Sequence, residues 1–253
     1  MTTNTDPLRD DVVPGGAWEF DDEVAAKFDD MLARSIPGLP VLRELTPRIA
    51  AISLNSRGLA GAHVLDIGTS RGAALDPFVE AGAHCLGLEV SEPMYEIARE
   101  RFAPYPNAEV WNVEAREFAR RQVRDREPFP LRYDVVLAIL TLQFVPIEHR
   151  PGFLRDLYRI TNPGGVLIVA EKILEPNPWA DALTVEAYVE HKTRNGYTAE
   201  QITTKAKALE GVLVPLPAET NRRLVEEAGW VDVTTFWRVL SFEAFVARKA
   251  GYR

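Results

Sequence analysis

The residues best placed to do chemistry lie in VLDIGTSRGAA at 64–74 and, further on, at Glu89 and Glu114. Asp66, Gly68, Thr69, Ser70 and Gly72 fall where a short apolar run gives way to a helical pattern. Glycine in such a turn lets a ligand approach the backbone and leaves N–H groups exposed at a helix N-terminus. A tight strand-to-helix turn that binds nothing also needs glycine, so G-x-x-x-G is weak on its own. The chain lacks the dinucleotide pattern G-x-G-x-x-G, the phosphate loop G-x-x-x-x-G-K-[ST] and the nucleophile elbow G-x-S-x-G. Glu89 closes the second apolar run, 21 residues after Gly68. A carboxylate there can accept hydrogen bonds from both hydroxyls of an adenosine ribose. Glu114 follows the third run, where an adenine ring would lie if a nucleoside crosses the strand ends; an acid placed to complement a helix N-terminus explains it equally well.

These positions need a sheet to hold them, and the patterning supplies one. Short apolar runs at 63–68, 84–90, 108–113, 133–140 and 165–172 alternate with amphipathic stretches near 73–80, 93–104, 114–124 and 148–160. That alternation predicts βαβ units around a parallel sheet with helices on both faces. NPGG at 162–165 predicts a turn before the fifth strand. A helix ending at Gly229, then strands at 230–237 and 241–249 joined by a short link, predict a terminal antiparallel hairpin. The fold class expected is α/β: a doubly wound, mostly parallel sheet of about seven strands. Three regions follow: a flexible start over 1–16, a helical lid or brace over 17–62, and the sheet domain over 63–253 with a helical insertion at about 174–217. In the lid, Val24, Phe28 and Met31/Leu32 recur at helical spacing and must pack on the main domain. The insertion reads as two helices joined at Asn195-Gly196 with modest apolar faces, as if covering something or meeting a partner.

Composition narrows the function. With 253 residues, 46% hydrophobic and 26% charged, the chain is globular and not disordered. No stretch approaches the ~20 apolar residues of a membrane span, and the first sixteen residues have no apolar core, so a cytoplasmic location and no membrane partner are expected. One cysteine and four scattered histidines give no metal cluster, so no metal is expected. The net charge of −8 disfavours a nucleic-acid partner. Arg116, Arg120, Arg121, Arg124 and Arg126 form the best basic patch, but Glu114, Glu117, Asp125 and Glu127 interleave with them as on a solvated helix.

DIGTSRG, Glu89, YDVVL, NPGG and the terminal hairpin, in that order over roughly 45–250, resemble class I S-adenosylmethionine-dependent methyltransferases. Within that superfamily the chain is similar to carboxy-S-adenosylmethionine synthases of bacterial tRNA wobble-uridine modification. The shared stretches are WEFDDEVAAKFDDM at 18–31, RSIPG at 34–38, GTSRGAA at 68–74, TLQF at 141–144, NPGG at 162–165, AEK at 170–172 and NGYT at 195–198.

The resemblance implies S-adenosyl-L-methionine as cofactor, or S-adenosyl-L-homocysteine as product. It implies cofactor contacts at Leu39, Asp66, Gly68, Thr69, Ser70, Gly72, Glu89, Val90, Glu114, Ala115 and Ile139. It puts Thr141, Gln143, Phe144, Lys172, Tyr197 and Lys205 near the acceptor, with strand-end packing as their alternative role, and it implies a homodimer. Three positions depart from the family: its tyrosine after PG is Leu39, its fourth-strand asparagine is Ile139, and the arginine that clamps the transferred carboxylate is Ala206. Leucine at 39 implies a more apolar cofactor pocket. Alanine at 206 supplies no donor, whereas a guanidinium holds a carboxylate bidentately. The leading expectation is therefore methyl transfer to an unidentified acceptor, more readily a small molecule than a nucleic acid. In-line displacement from a sulfonium compels no catalytic base. Carboxy-S-adenosylmethionine synthesis from prephenate, with Lys205 or Lys207 as relocated cation, is the alternative; a silent nucleoside-binding subunit is the third reading.

Overall fold

A computed structural model describes residues 9–124 and 132–251. Part of the expected flexible start, and Asp125, Arg126 and Glu127 of the charged helix, lie outside the described residues. The chain opens with α1 (Asp22–Ser35), whose N-terminus is capped by the Asp21 side chain accepting the Val24 N–H at 2.9 Å. Gly38, at φ +74°, turns the chain into α2 (Leu39–Ser53).

Strands β1 (His63–Ile67), β2 (His84–Glu89), β3 (Ala108–Asn112) and β4 (Tyr133–Ile139) are parallel, as is β5 (Thr161–Leu174) beside β4. Their connections are α3 (Asp76–Glu80), α4 (Glu92–Phe102), α5 (Ala115–Arg124) and α6 (Arg150–Ile160). After β5 come α7 (Pro178–Arg194), α8 (Ala199–Ala208), β6 (Leu216–Pro217), α9 (Ala218–Glu227), β7 (Val231–Val239) and β8 (Phe242–Arg248). Strand order is β3-β2-β1-β4-β5-β8-β7, with β8 antiparallel to both neighbours and β6 paired to the end of β5. The order reverses between β1 and β4, which places a crevice at their carboxyl ends.

The doubly wound reading and the terminal hairpin hold, with two corrections. The sheet has eight strands, because the two-residue β6 pairs with Ile173 and Leu174, and a pair that short has no periodicity to detect. NPGG does not turn the chain before β5 but lies inside it as a bulge, the register slipping between Tyr133↔Thr161 and Val135↔Val166. Its polar groups find neighbours instead of a turn partner: the Gly164 backbone N–H donates to Lys249 O at 2.9 Å, and the Asn162 side-chain amide donates to the Asp134 carboxylate at 3.0 Å.

Side chains alternate along the strands onto two cores. Leu65, Ile67, Val136, Ala138, Leu167 and Val169 face α6 and α9, while Val64, Val135, Leu137, Val166 and Ile168 face the other layer with Phe78 and Phe102. The lid makes its own clusters. Val24 and Phe28 of α1 pack with Trp18, Met94 of α4 and Ala208 of α8, and Leu39 and Leu42 of α2 pack with Trp237 and Phe242 of the hairpin. Each such burial stabilises by about 1.5–3 kcal/mol, so α1 and α2 are fixed across the carboxyl ends of the strands.

Candidate functional site

One cavity of about 560 Å³ lies over the β1/β4 crevice, walled by the strand ends, by α1 and α2, and by α7 and α8. Its strand-end half starts at Asp66, which is 1% exposed. Asp66 Oδ2 and the Thr69 hydroxyl are buried without a hydrogen-bond partner among the described residues. Burial, opposed by the adjacent Thr69 hydroxyl, which lies near the carboxyl without a well-formed hydrogen bond to it, and reinforced by the nearby Glu89 charge, pushes the Asp66 carboxyl up to about 7. The Gly68 and Thr69 N–H groups both donate to Leu88 O, folding the loop back onto β2. Gly68 sits at φ +68°, and a Cβ there would come within 2.7 Å of the Thr141 side chain. Glycine is what lets Thr141 close over the loop. Gly72 serves helix packing instead, since it does not line the cavity and a Cβ there would strike the Phe102 ring at 2.4 Å.

Glu89 is held by three backbone donors, Ser70 N–H at 2.7 Å and Val90 and Ser91 N–H at 2.9 Å each. The first fixes Ser70 in a left-handed conformation, φ +51°, so the carboxylate shapes the loop as well as facing the cavity. Burial raises the Glu89 pKa against these three N–H bonds. A carboxylate offers about four acceptor sites, which leaves capacity for a hydroxyl. The orphaned Asp66 oxygen, the orphaned Thr69 hydroxyl and the remaining capacity of Glu89 fit the nucleoside cofactor expected from the sequence. Leu39, Ser70, Val90 and Ile139 line the same cavity. Glu114 and Ala115 do not. Glu114 accepts the Arg116 and Glu117 N–H groups at 3.1 Å and pairs with Arg116 Nε at 2.7 Å, capping α5.

The other half is organised by Glu171, which the sequence reading did not single out. Buried at 3% exposure, it accepts the N–H groups of Thr141, Leu142 and Gln143 at 3.2, 2.8 and 2.9 Å, and so fixes the TLQF turn over the end of β4. Thr141, Gln143, Phe144 and Lys172 all reach the cavity wall. The Gln143 amide is already engaged, its oxygen accepting the Lys172 N–H at 3.0 Å. Phe144 meets Phe20 edge to face at 5.3 Å, a contact between the turn and the N-terminal segment.

Of the two remaining residues expected near the acceptor, Lys205 lines the cavity and Tyr197 does not, and both bond to Asp10. The Tyr197 hydroxyl donates to Asp10 and receives a bond from Ser35 at 3.3 Å, outside the cavity lining. Lys205 lines the cavity but is paired with Asp10, both groups being almost fully buried. Arg34 Nη1 adds a bond to the Asp10 carbonyl at 2.9 Å. Asp10 thus latches the N-terminal segment to α8, and Trp18 N–H to Ala208 O, 2.9 Å, is a second tie. Ala206 also lines the cavity, so the position without a donor does face the site. Lys207, the other cation considered, does not line it. A face of α7 that sequence reasoning passed over, Val185, Tyr188, Val189 and Lys192, completes the wall. Its spacing of three, four and seven from Val185 was legible in VEAYVEHK, though nothing in that stretch says what the face meets. No helix is long and apolar enough to cross a membrane, and no cluster of metal-ligating side chains occurs, among the described residues.

The profile of the family described as Methyltransferase domain matches residues 65–167. The carboxy-S-adenosyl-L-methionine synthase of Wolinella succinogenes is 34% identical over 236 residues, covering 92% of this chain and 93% of that protein. That of Chromohalobacter salexigens is 35% identical over 237 residues, covering 92% and 83%. Among solved structures, an O-methyltransferase family protein from Burkholderia thailandensis superposes with a TM-score of 0.64 at 14% identity, over 92% of this chain and 61% of that one. The magnesium protoporphyrin IX methyltransferase of Synechocystis, solved with bound SAH, superposes at 0.59 and 14% identity over 87% of each chain. At such identities the structural likeness shows the fold.

Proposed function

The chain belongs to the carboxy-S-adenosyl-L-methionine synthase family of S-adenosylmethionine-dependent enzymes, and from that premise we propose that it transfers a methyl group from the cofactor to a small molecule held beneath the lid and the insertion. S-adenosylmethionine is the cofactor. When bound, it supplies a methyl group already activated on a sulfonium. The chain's own work is then to orient and to exclude water.

Glu89 and the 68–70 loop would take the nucleoside end, and the free oxygen of Asp66 the amino-acid end. The Thr141 side chain, packed against Gly68, sets the boundary between the cofactor half and the acceptor half. Phe20 against Phe144 limits the access of water where the N-terminal segment meets the turn. The observation that carries methyl transfer is Ala206 in the cavity wall beside a Lys205 already committed to Asp10: neither can clamp a carboxylate on the cofactor. The near full-length likeness to proteins named as synthases favours a second reading, carboxy-S-adenosylmethionine formation with prephenate.

Mass analysis of the nucleoside that copurifies, and of the products after incubation with labelled S-adenosylmethionine and prephenate, separates the two. S-adenosylmethionine or S-adenosylhomocysteine, with no carboxyl added to the cofactor, is expected. A cofactor heavier by a carboxyl group would overturn methyl transfer in favour of the synthase.

A further inference from the structure

The lysines of the chain divide by what holds their side-chain nitrogens. Lys27 pairs with Asp11 and Glu23, Lys205 pairs with Asp10, and Lys249 donates to the Tyr158 and Thr161 carbonyls at 2.6 and 2.8 Å. Lys207 is exposed on α8. Lys172, at the end of β5, and Lys192, on α7, differ from all of these. Both line the cavity, Lys192 is only 9% exposed, and neither has a hydrogen-bond acceptor or a carboxylate within ion-pair distance among the described residues. What they meet is an aromatic face. Lys192 Nζ lies 4.8 Å from the centre of the Tyr188 ring and 5.7 Å from that of Tyr197, and Lys172 Nζ lies 5.1 Å from the Tyr188 centre.

An amine attacks a carbonyl carbon only through a free lone pair, and only where the carbonyl compound can reach it. Burial, then the nearby Lys172 and Lys205 charges, bring Lys192 down to about 8 against the opposing pull of Asp10. Burial also brings Lys249 down to about 8, but Lys249 is tied to two carbonyls and lies outside the cavity lining, so geometry separates the two. At Lys172 burial is countered by Asp181, which favours the charged form. Lys172 is therefore the standing cation and Lys192 the available amine. The surroundings are apolar, with Val185 and Val189 on the same α7 face and Phe242 edge to face with Tyr188 at 5.5 Å. A desolvated lysine beside a second cation is the setting that activates an amine toward carbonyl compounds.

We propose that Lys192, with Lys172 and the Tyr188 ring beside it, captures a small neutral aldehyde or ketone in the cavity as a reversible imine. The Lys192 nitrogen forms the bond to the carbonyl carbon, and the carbonyl oxygen leaves as water with two protons from the amine. Hydrolysis reverses the step, and no oxidant or reductant is consumed. The protonated imine carries the same single charge as the ammonium it replaces, so the Tyr188 face holds both forms. The proposal rests on the reading of this half as the acceptor site and names the acceptor as a carbonyl compound held covalently. It requires no carboxylate on that compound and no cation at position 206.

The test is incubation of the full-length protein at neutral pH with benzaldehyde and cyanoborohydride, which reduces an imine to a stable benzylamine, followed by peptide mapping. Lys192 is expected to take the benzyl group at least about tenfold faster than Lys27, Lys207 or Lys249, at a rate that saturates as benzaldehyde is raised. Lys192→Arg, which keeps the charge and loses the nucleophile, is expected to abolish the cavity adduct while S-adenosylhomocysteine affinity stays within about twofold. Lys172→Met is expected to slow labelling of Lys192, because it removes the neighbouring cation. Labelling of Lys192 no faster than that of exposed Lys207, or a Lys192 rate that rises linearly with benzaldehyde throughout, would overturn the proposal. The wild-type map decides this even where a variant fails to fold. Failure of the wild type to take up S-adenosylhomocysteine would count against the cofactor reading alone, since the map is made without it.

Discussion

The two halves of the cavity are assembled by different means. At the strand ends, Glu89 receives its three N–H bonds from Ser70, Val90 and Ser91, and the 68–69 loop bonds to Leu88, all within about one βαβ unit of chain. Across the cavity the ties span most of the sequence: Arg34 Nε to Asn195 O at 2.7 Å, Ser35 to Tyr197, and Lys205 to Asp10, separated by 161, 162 and 195 residues. The first half is built into the sheet and exists wherever β1 and β2 pair. The second exists only while the N-terminal segment is latched, and the latch converges on one carboxylate. Binding of cofactor and binding of acceptor are therefore separable by mutation.

The largest test of that separation is Asp10→Ala. It leaves Lys205 buried without its partner and removes the acceptor for the Tyr197 hydroxyl and for the Val12 N–H. Breaking a buried pair on one side costs about 3–5 kcal/mol. The loss should fall on the lid: faster amide exchange over α1 and the 10–20 segment, and loss of turnover, with cofactor affinity falling much less. Equal loss of both would show that the latch holds the whole site and would break the comparison.

Gly68→Ala probes the opposite half. The new methyl group meets the Thr141 side chain and the residue must keep a positive φ, for a cost of about 1–3 kcal/mol together with weakened cofactor binding. Adding Thr141→Ala should recover part of the loss by relieving the contact, though not the backbone strain. A Gly68→Ala protein that binds cofactor as the wild type does would mean that the loop relaxes freely and is not built into the sheet.

Asp66 gives a pH signature to the same half. Its folded-state pKa, raised by burial to about 7, lies above the ordinary value of 3.8. Its stabilising contribution is thus complete below about pH 4 and is lost as pH rises through about 7, at up to about 1.4 kcal/mol per pH unit. Asp66→Asn should flatten the fall in denaturant midpoint between about pH 4 and 7, the window set by that shift. An unchanged slope in the variant would assign the pH dependence elsewhere.

What could be read from the sequence follows the same division. The strands, the glycine loop and Glu89 were legible because their geometry is set by neighbours in the chain, where apolar periodicity and a glycine at a strand end constrain few alternatives. Even there, Gly72 belongs to helix packing against Phe102, since a motif does not say whether a missing Cβ makes room for a ligand or for a ring. The acceptor half was only partly legible. Tyr197 and Lys205 were placed near the acceptor by resemblance, yet both bond to Asp10, a residue that nothing in the sequence distinguishes from the other acids around it. Glu171 and Lys192 lie inside a strand and a helix that were identified correctly. Their importance comes from what tertiary packing sets opposite them, and periodicity carries no information about that.

The smallest expected effect settles which side of the comparison Glu114 stands on. By position it follows β3, beside the strand that ends in Glu89, and an adenine ring crossing the strand ends would reach it. By structure it caps α5, accepting two N–H groups of the first turn and the Arg116 side chain. Loss of an N-terminal cap costs about 0.5–2 kcal/mol, and the favourable placement of an acid at a helix N-terminus is worth about 0.3–1 kcal/mol of it. Glu114→Ala should therefore lower stability by about 1 kcal/mol and leave the affinity for S-adenosylhomocysteine unchanged. Glu114→Asp, which keeps a capping carboxylate, should recover most of that stability. A drop in affinity of about tenfold with little change in stability would reverse the assignment. The cofactor half would then extend past β2 to β3, and the cap would be what aims the carboxylate at the ring.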